Sequence, residues 1–167
     1  CHLLASGGEI DAEITITRVN DELFYLTSAG SMQNRDFDML NSAILPEEDV
    51  KLADVTEEYG VLVVSGPKTR DAMTRITDAD LSTPVFPWLK ARTIEIDGAA
   101  VRALRISYAG ELGWELHIPI ASLRKVYRAL MAAGEEYGIR DFGLYALNSL
   151  RMEKAYRGFG SELTNEI

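Results

Sequence analysis

The stretch Tyr108-Ala109-Gly110-Glu111-Leu112-Gly113-Trp114-Glu115-Leu116 gathers groups that could do chemistry. It holds an aromatic hydroxyl, two carboxylates and two glycines, between segments that read as strands. Glycine lets a backbone turn or come close to a ligand. Alternate strand residues point to opposite faces, so Glu115 projects away from Trp114 and Leu116. A carboxylate there beside a tryptophan is a poor choice for a plain packing surface and a good one for gripping a flat, nitrogen-rich ring. The bland alternatives are an exposed strand carboxylate at Glu115, a core tyrosine with a satisfied hydroxyl at Tyr108, and a solubilising turn residue at Glu111.

Other chemistries are thinly provided. The only histidines are His2 and His117, and Cys1 is the only cysteine, so no metal site is expected. Ser65 lies in Val64-Ser65-Gly66-Pro67 and lacks the Gly-x-Ser-x-Gly frame of a hydrolase elbow. Gly158-Phe159-Gly160 follows a helical pattern, the wrong context for a dinucleotide loop. Glu13 opens a predicted strand after Gly7-Gly8 and precedes Thr15; on position alone it reads as solvent-facing. Arg151, Glu153 and Lys154 form either a solvated helix face or a partly buried ion pair that positions a neighbouring site.

A chain of 167 residues suggests one domain. At this length roughly 70% of the unfolded surface can be buried without a metal or disulfide staple. Apolar residues at 47% and charged residues at 26% are those of an ordinary globule. A net charge of -9 argues against nucleic acid and anionic membrane surfaces as partners. A small anion could still be received by Lys90, Arg92, Arg102 and Arg105. A lone Cys1 forms no internal disulfide, which fits a reducing compartment. There is no apolar run of roughly 20 residues and no signal-peptide pattern. The expected location is the cytoplasm, or the mitochondrial matrix in a eukaryote. The abrupt start at Cys1 and end at Ile167 read as a piece of a longer polypeptide.

The elements that must position these groups follow from periodicity. Glu13 to Val19 alternates as a half-buried strand, with Leu23 to Thr27 as its hairpin partner. Ser31 is expected to cap a helix through Leu45, which Pro46 stops. Val50 to Val55 and Tyr59 to Val64 read as strands, and Val61-Leu62-Val63-Val64 suits burial on both faces. A helix starts at Pro67. Thr93 to Ile96 and Val101 to Tyr108 form a hairpin on Asp97-Gly98, and Trp114 to Ile118 is a further strand. Ser122 to Tyr137 is an amphipathic helix ended by Gly138, and a last helix covers Asp141 to Tyr156. Strand pairs with interspersed helices give an α+β fold with mixed or antiparallel sheets.

In this order, the segments resemble the folate-binding domain of the glycine-cleavage T-protein (aminomethyltransferase) family. The resemblance is nearest to the folate half of dimethylglycine and sarcosine dehydrogenases and dimethylglycine oxidases. It is carried by Thr15-Ile16-Thr17-Arg18, Phe24 to Ala29, Ser65-Gly66-Pro67, Thr77 to Ser82, Phe86-Pro87-Trp88, Tyr108 to His117, Ser149 to Tyr156 and Gly160 to Thr164. It implies ferredoxin-like and Greek-key elements around a folate channel, truncated at both ends. It also implies a flavin domain upstream and a C-terminal β-domain, both outside residues 1–167.

The resemblance further implies roles. Tyr108 and Glu115 match folate-contacting positions, and Thr15 matches another pocket position. Glu13 matches the family's aspartate of one-carbon transfer, with one methylene more. The implied ligands are tetrahydrofolate and a one-carbon donor, with FAD confined to the upstream domain of the same polypeptide. The implied activity is capture of an iminium or formaldehyde from an N-methylglycine as 5,10-methylenetetrahydrofolate. The alternative is a non-catalytic folate-binding or regulatory module.

Overall fold

Two hairpins open the chain. In the computed structural model, which describes residues 1–164, β1 (His2–Leu4) pairs antiparallel with β2 (Ile10–Glu13), and β3 (Thr15–Arg18) with β4 (Phe24–Thr27). They belong to a first compact unit, Cys1–Asp54 together with the segment that begins at Arg157. The single strand expected from Glu13 to Val19 is therefore split. Ile14 is buried, donates its N–H to the Cys1 carbonyl and accepts the Cys1 ammonium, both at 2.9 Å. This residue stays tied to the first hairpin, so the chain changes sheets after it and Glu13 closes β2.

Helix α1 (Gln33–Ala43) starts later than Ser31. Met32 N–H closes a tight turn onto the Ala29 carbonyl at 2.8 Å, and no side chain caps the helix. The strand expected at Val50–Val55 is absent: that segment lies beside no ladder, and Val50 is exposed. A strand needs a partner for its backbone groups, and alternation alone supplies none. Asp54 instead accepts the Gln33 side-chain amide at 2.7 Å.

The second unit is Val55–Tyr156. It contains β5 (Tyr59–Ser65), α2 (Thr69–Met73), β6 (Ala91–Ile96), β7 (Ala99–Leu104), β8 (Gly113–Pro119), α3 (Leu123–Gly134) and α4 (Leu144–Glu153). The strands form one antiparallel sheet in the order β5-β8-β7-β6. Three consecutive strands form a meander and β5 lies beside its last member, which is Greek-key order read from the far end. Asp97 and Gly98 both have positive φ, as a two-residue hairpin turn demands. β7 stops at Leu104, short of the expected Tyr108, because Ile106 N–H turns back onto the Leu104 carbonyl at 2.9 Å.

One face of this sheet makes the core. Ile94, Ile96, Val101, Ala103, Trp114, Leu116 and Ile118 pack with Met73 of α2 and with Val126 and Leu130 of α3. Each fully buried large apolar side chain contributes roughly 1.5–3 kcal/mol. Trp114 meets Phe86 edge to face, centroids 6.1 Å apart at 69°. Helix α3 runs on into a tight 3₁₀ turn, Glu135–Tyr137, and that turn stops at Gly138 in the left-handed region, the stop expected from the sequence. The opposite sheet face is not covered throughout: Val61 is 47% exposed and Val63 38%. β5 is thus buried on one face only, contrary to the reading of its valine run.

Candidate functional site

Glu115 sits mid-strand in β8, between Val63 on β5 and Leu104 on β7. Facing residues of antiparallel neighbours share a sheet face. Val61, Val63, Glu115 and His117 therefore lie together, on the face opposite α2 and α3. The Glu115 side chain is 23% exposed, and its Oε2 is 3.6 Å from Nε2 of the buried His117. An aliphatic strip beside a half-buried carboxylate can carry a flat heterocycle: the valines meet its surface and the carboxylate its N–H edge. Trp114 and Leu116 point the other way into the core, as the alternation predicts.

Gly113, just before this pair, is fixed by space. A Cβ there would stand 2.7 Å from the Val64 carbonyl oxygen and 3.3 Å from Ser65 Cα. Tyr108 stands at the far end of the turn and is half-exposed. Its ring stacks parallel to Tyr156, centroids 6.3 Å apart and planes at 11°. Glu111 pairs with Lys154 at 3.4 Å, and Gly110, at φ 71°, rests against the Lys154 stem. The turn is thus seated on the C-terminal end of α4.

Arg151 is responsible for much of that seat. It is 5% exposed and bonds Asn148 Oδ1 through Nε (2.9 Å), and the Tyr156 carbonyl through Nη1 (2.8 Å). Glu153 beside it is exposed. Neither reading of this run holds for all three residues: Glu153 faces solvent, Arg151 is buried on an amide and a carbonyl, and Lys154 forms the half-exposed pair with Glu111. Tyr156 lies within the last helical segment and the Ser149 to Tyr156 match, and its one sequence signal beyond these is an aromatic closely following a helical Arg.

Glu13 and Thr15 belong to the first unit. Both are exposed and flank the buried Ile14. Glu13 lies 3.5 Å from His2 Nε2 across the β1–β2 pair. The nearby Asp11 is held by an ion pair with Arg35. Thr15 faces Thr27, whose buried Oγ1 has no hydrogen-bond partner among the described residues.

The basic residues do not form one receptor. Arg102 stacks over Tyr59 at 5.7 Å, on the Glu115 face, whereas Arg92 projects to the helix face and reaches Phe86 at 5.9 Å. Arg105 packs on Trp114 at 5.7 Å and donates to the Phe86 carbonyl at 2.5 Å. Burial, and then the nearby Arg70 guanidinium, pull Arg105 below the usual arginine value. No cluster of three metal-ligating side chains occurs among the described residues. Among them, no helix is long and apolar enough to cross a membrane.

Residues 1–167 match the GCVT N-terminal domain family. The chain belongs to that family. The resemblance read from its motifs is borne out. It is 39% identical over 163 residues to mouse (Mus musculus) mitochondrial dimethylglycine dehydrogenase, covering 97% of this chain and 19% of the relative. It is 35% identical over 177 residues to mouse mitochondrial sarcosine dehydrogenase, covering 98% and 19%. The chain thus spans about a fifth of the length of these relatives. A chain of the heterotetrameric sarcosine oxidase from Corynebacterium sp. U-96, solved in complex with pyrrole 2-carboxylate, superposes with a TM-score of 0.63. That match covers 81% of this chain and 66% of the other at 20% identity, a likeness of fold. The expected α+β class with antiparallel sheets is likewise borne out.

Proposed function

We propose that this chain is the tetrahydrofolate-binding part of an N-methylglycine demethylating enzyme, where one-carbon units are captured as 5,10-methylenetetrahydrofolate. The observation that carries this reading is the Glu115 carboxylate set against Val61 and Val63, on the sheet face opposite the helices. Family membership and relatives named dimethylglycine and sarcosine dehydrogenase support it.

The residues divide the work. Glu115 accepts the paired N–H donors of the aminopyrimidine edge, and Tyr108 packs against the ring system and hydrogen-bonds through its hydroxyl. Thr15 adds a polar contact beside the unpartnered Thr27 hydroxyl. Glu13 stabilises a cationic iminium and takes up a proton during attack on its carbon. Bound tetrahydrofolate supplies the nucleophilic nitrogens. Amine oxidation belongs to a flavin domain of the same parent polypeptide, outside this chain. A eukaryotic parent would work in the mitochondrial matrix, as the relatives' names suggest, and a bacterial one in the cytoplasm.

The test is to give the complete parent polypeptide an N-methylglycine and tetrahydrofolate and measure methylenetetrahydrofolate. Failure to bind tetrahydrofolate would sink the reading. Binding without turnover would favour the non-catalytic module. That second reading is supported by glutamate at position 13, in place of the family's aspartate, with His2 as its neighbour.

A further inference from the structure

The end of α4 is built in an unusual way. Tyr156 N–H bonds the Arg151 carbonyl at 3.0 Å, and Ala155 N–H bonds the Met152 carbonyl at 2.9 Å. These are the 6→1 and 5→2 bonds of a Schellman ending, whose left-handed residue is usually glycine. Here it is Ala155, at φ 57°. A side chain in that region is a standing cost, and such costs gather where a conformation serves a site. The buried Arg151 then locks the Tyr156 carbonyl from the other side. Together these fix where Tyr156 leaves the helix, and its ring lies parallel to Tyr108.

Resting on the folate reading above, we infer that Tyr156 is a positioning residue for the folate site. It fixes the plane of the Tyr108 ring, so that Tyr108 presents a defined surface and hydroxyl direction to the pterin. Centroids 6.3 Å apart with nearly parallel planes are an offset stack, an arrangement that aromatic pairs prefer. Both rings are half-exposed, so the stack is not a core contact. The pair between Lys154 and Glu111 ties the same turn to the end of α4.

The experiment compares Tyr156→Leu and Tyr156→Phe in the complete parent polypeptide, with the tetrahydrofolate Kd read by titration calorimetry. Tyr156→Leu keeps apolar bulk but removes the stack, and it is expected to raise Kd about tenfold, the upper end of an aromatic pair's worth. Tyr156→Phe keeps the ring and should restore the wild-type Kd. In turnover, Tyr156→Leu should raise KM for tetrahydrofolate and leave kcat at saturation unchanged. If Tyr156→Leu binds normally while Tyr108→Leu does not, the inference fails and the folate reading survives. Equal losses in the two Tyr156 variants with a lowered Tm would mean a structural role only, which also overturns it. Absence of binding in the wild type removes both.

Discussion

Val63 and Glu115 face each other across the β5–β8 ladder. An exposed aliphatic side chain thus adjoins a carboxylate that is itself mostly covered. Replacing Glu115 by glutamine keeps the shape and removes the charge. A hydrogen bond to a charged group is worth roughly 1.5–3 kcal/mol, so Glu115→Gln should weaken tetrahydrofolate binding about 10- to 100-fold. Titration of the complete parent polypeptide checks this, and an unchanged Kd would remove Glu115 from the site.

Glu13 should behave differently. A positioned acid or base contributes roughly 10²–10⁴-fold to rate, so Glu13→Gln should slow methylenetetrahydrofolate formation by about 10²-fold or more. The tetrahydrofolate Kd should stay near the wild-type value, because this residue is assigned to the one-carbon centre and not to the ring edge. Single-turnover measurements separate the two effects. A parallel loss of rate and affinity would make Glu13 a binding residue.

The legible parts of this fold are those set by local chemistry. Asp97-Gly98 could be read as a turn because few residues accept two successive positive φ values. Helix α3, the tight turn that follows it and the Gly138 stop were readable from a single apolar stripe and one glycine. The motif from Tyr108 to Glu115 was readable because its polar residues sit where a packing strand would not place them. What depended on tertiary pairing was hidden. Val50–Val55 has strand-like alternation, but no strand partner among the described residues. Val61 and Val63 sit in a run as apolar as any core strand, and only the position of α2 and α3 decides which side is covered. The Tyr108–Tyr156 stack joins residues far apart in sequence, and no periodicity reports such a contact.

Gly113 makes a stability prediction. The nearest obstacle to a Cβ is the Val64 carbonyl, a ladder group that cannot rotate aside. Forcing atoms into a packed site costs roughly 1–3 kcal/mol, so Gly113→Ala should destabilise the sheet by about that amount. Amide hydrogen exchange in β5 and β8 should accelerate accordingly, by more than in β6. Uniform exchange across the sheet, unchanged from wild type, would show that the backbone yields easily at this point.

Ala155 makes the opposite prediction. Its left-handed conformation costs a non-glycine residue roughly 1–2 kcal/mol, while glycine returns roughly 0.4–1 kcal/mol of that through greater freedom in the unfolded chain. Ala155→Gly should therefore stabilise the α4 ending by about 0.5–1 kcal/mol. The Tyr156 amide closes the 6→1 bond, so its hydrogen exchange should slow. Ala155→Val should do the reverse, because a β-branched side chain tolerates that region worst. Tyr156 would then lose its fixed departure from the helix. Tetrahydrofolate affinity should fall in Ala155→Val and hold in Ala155→Gly, even though neither side chain touches the ligand in the proposed site. Equal affinity in both would mean that the backbone strain at Ala155 is unrelated to binding.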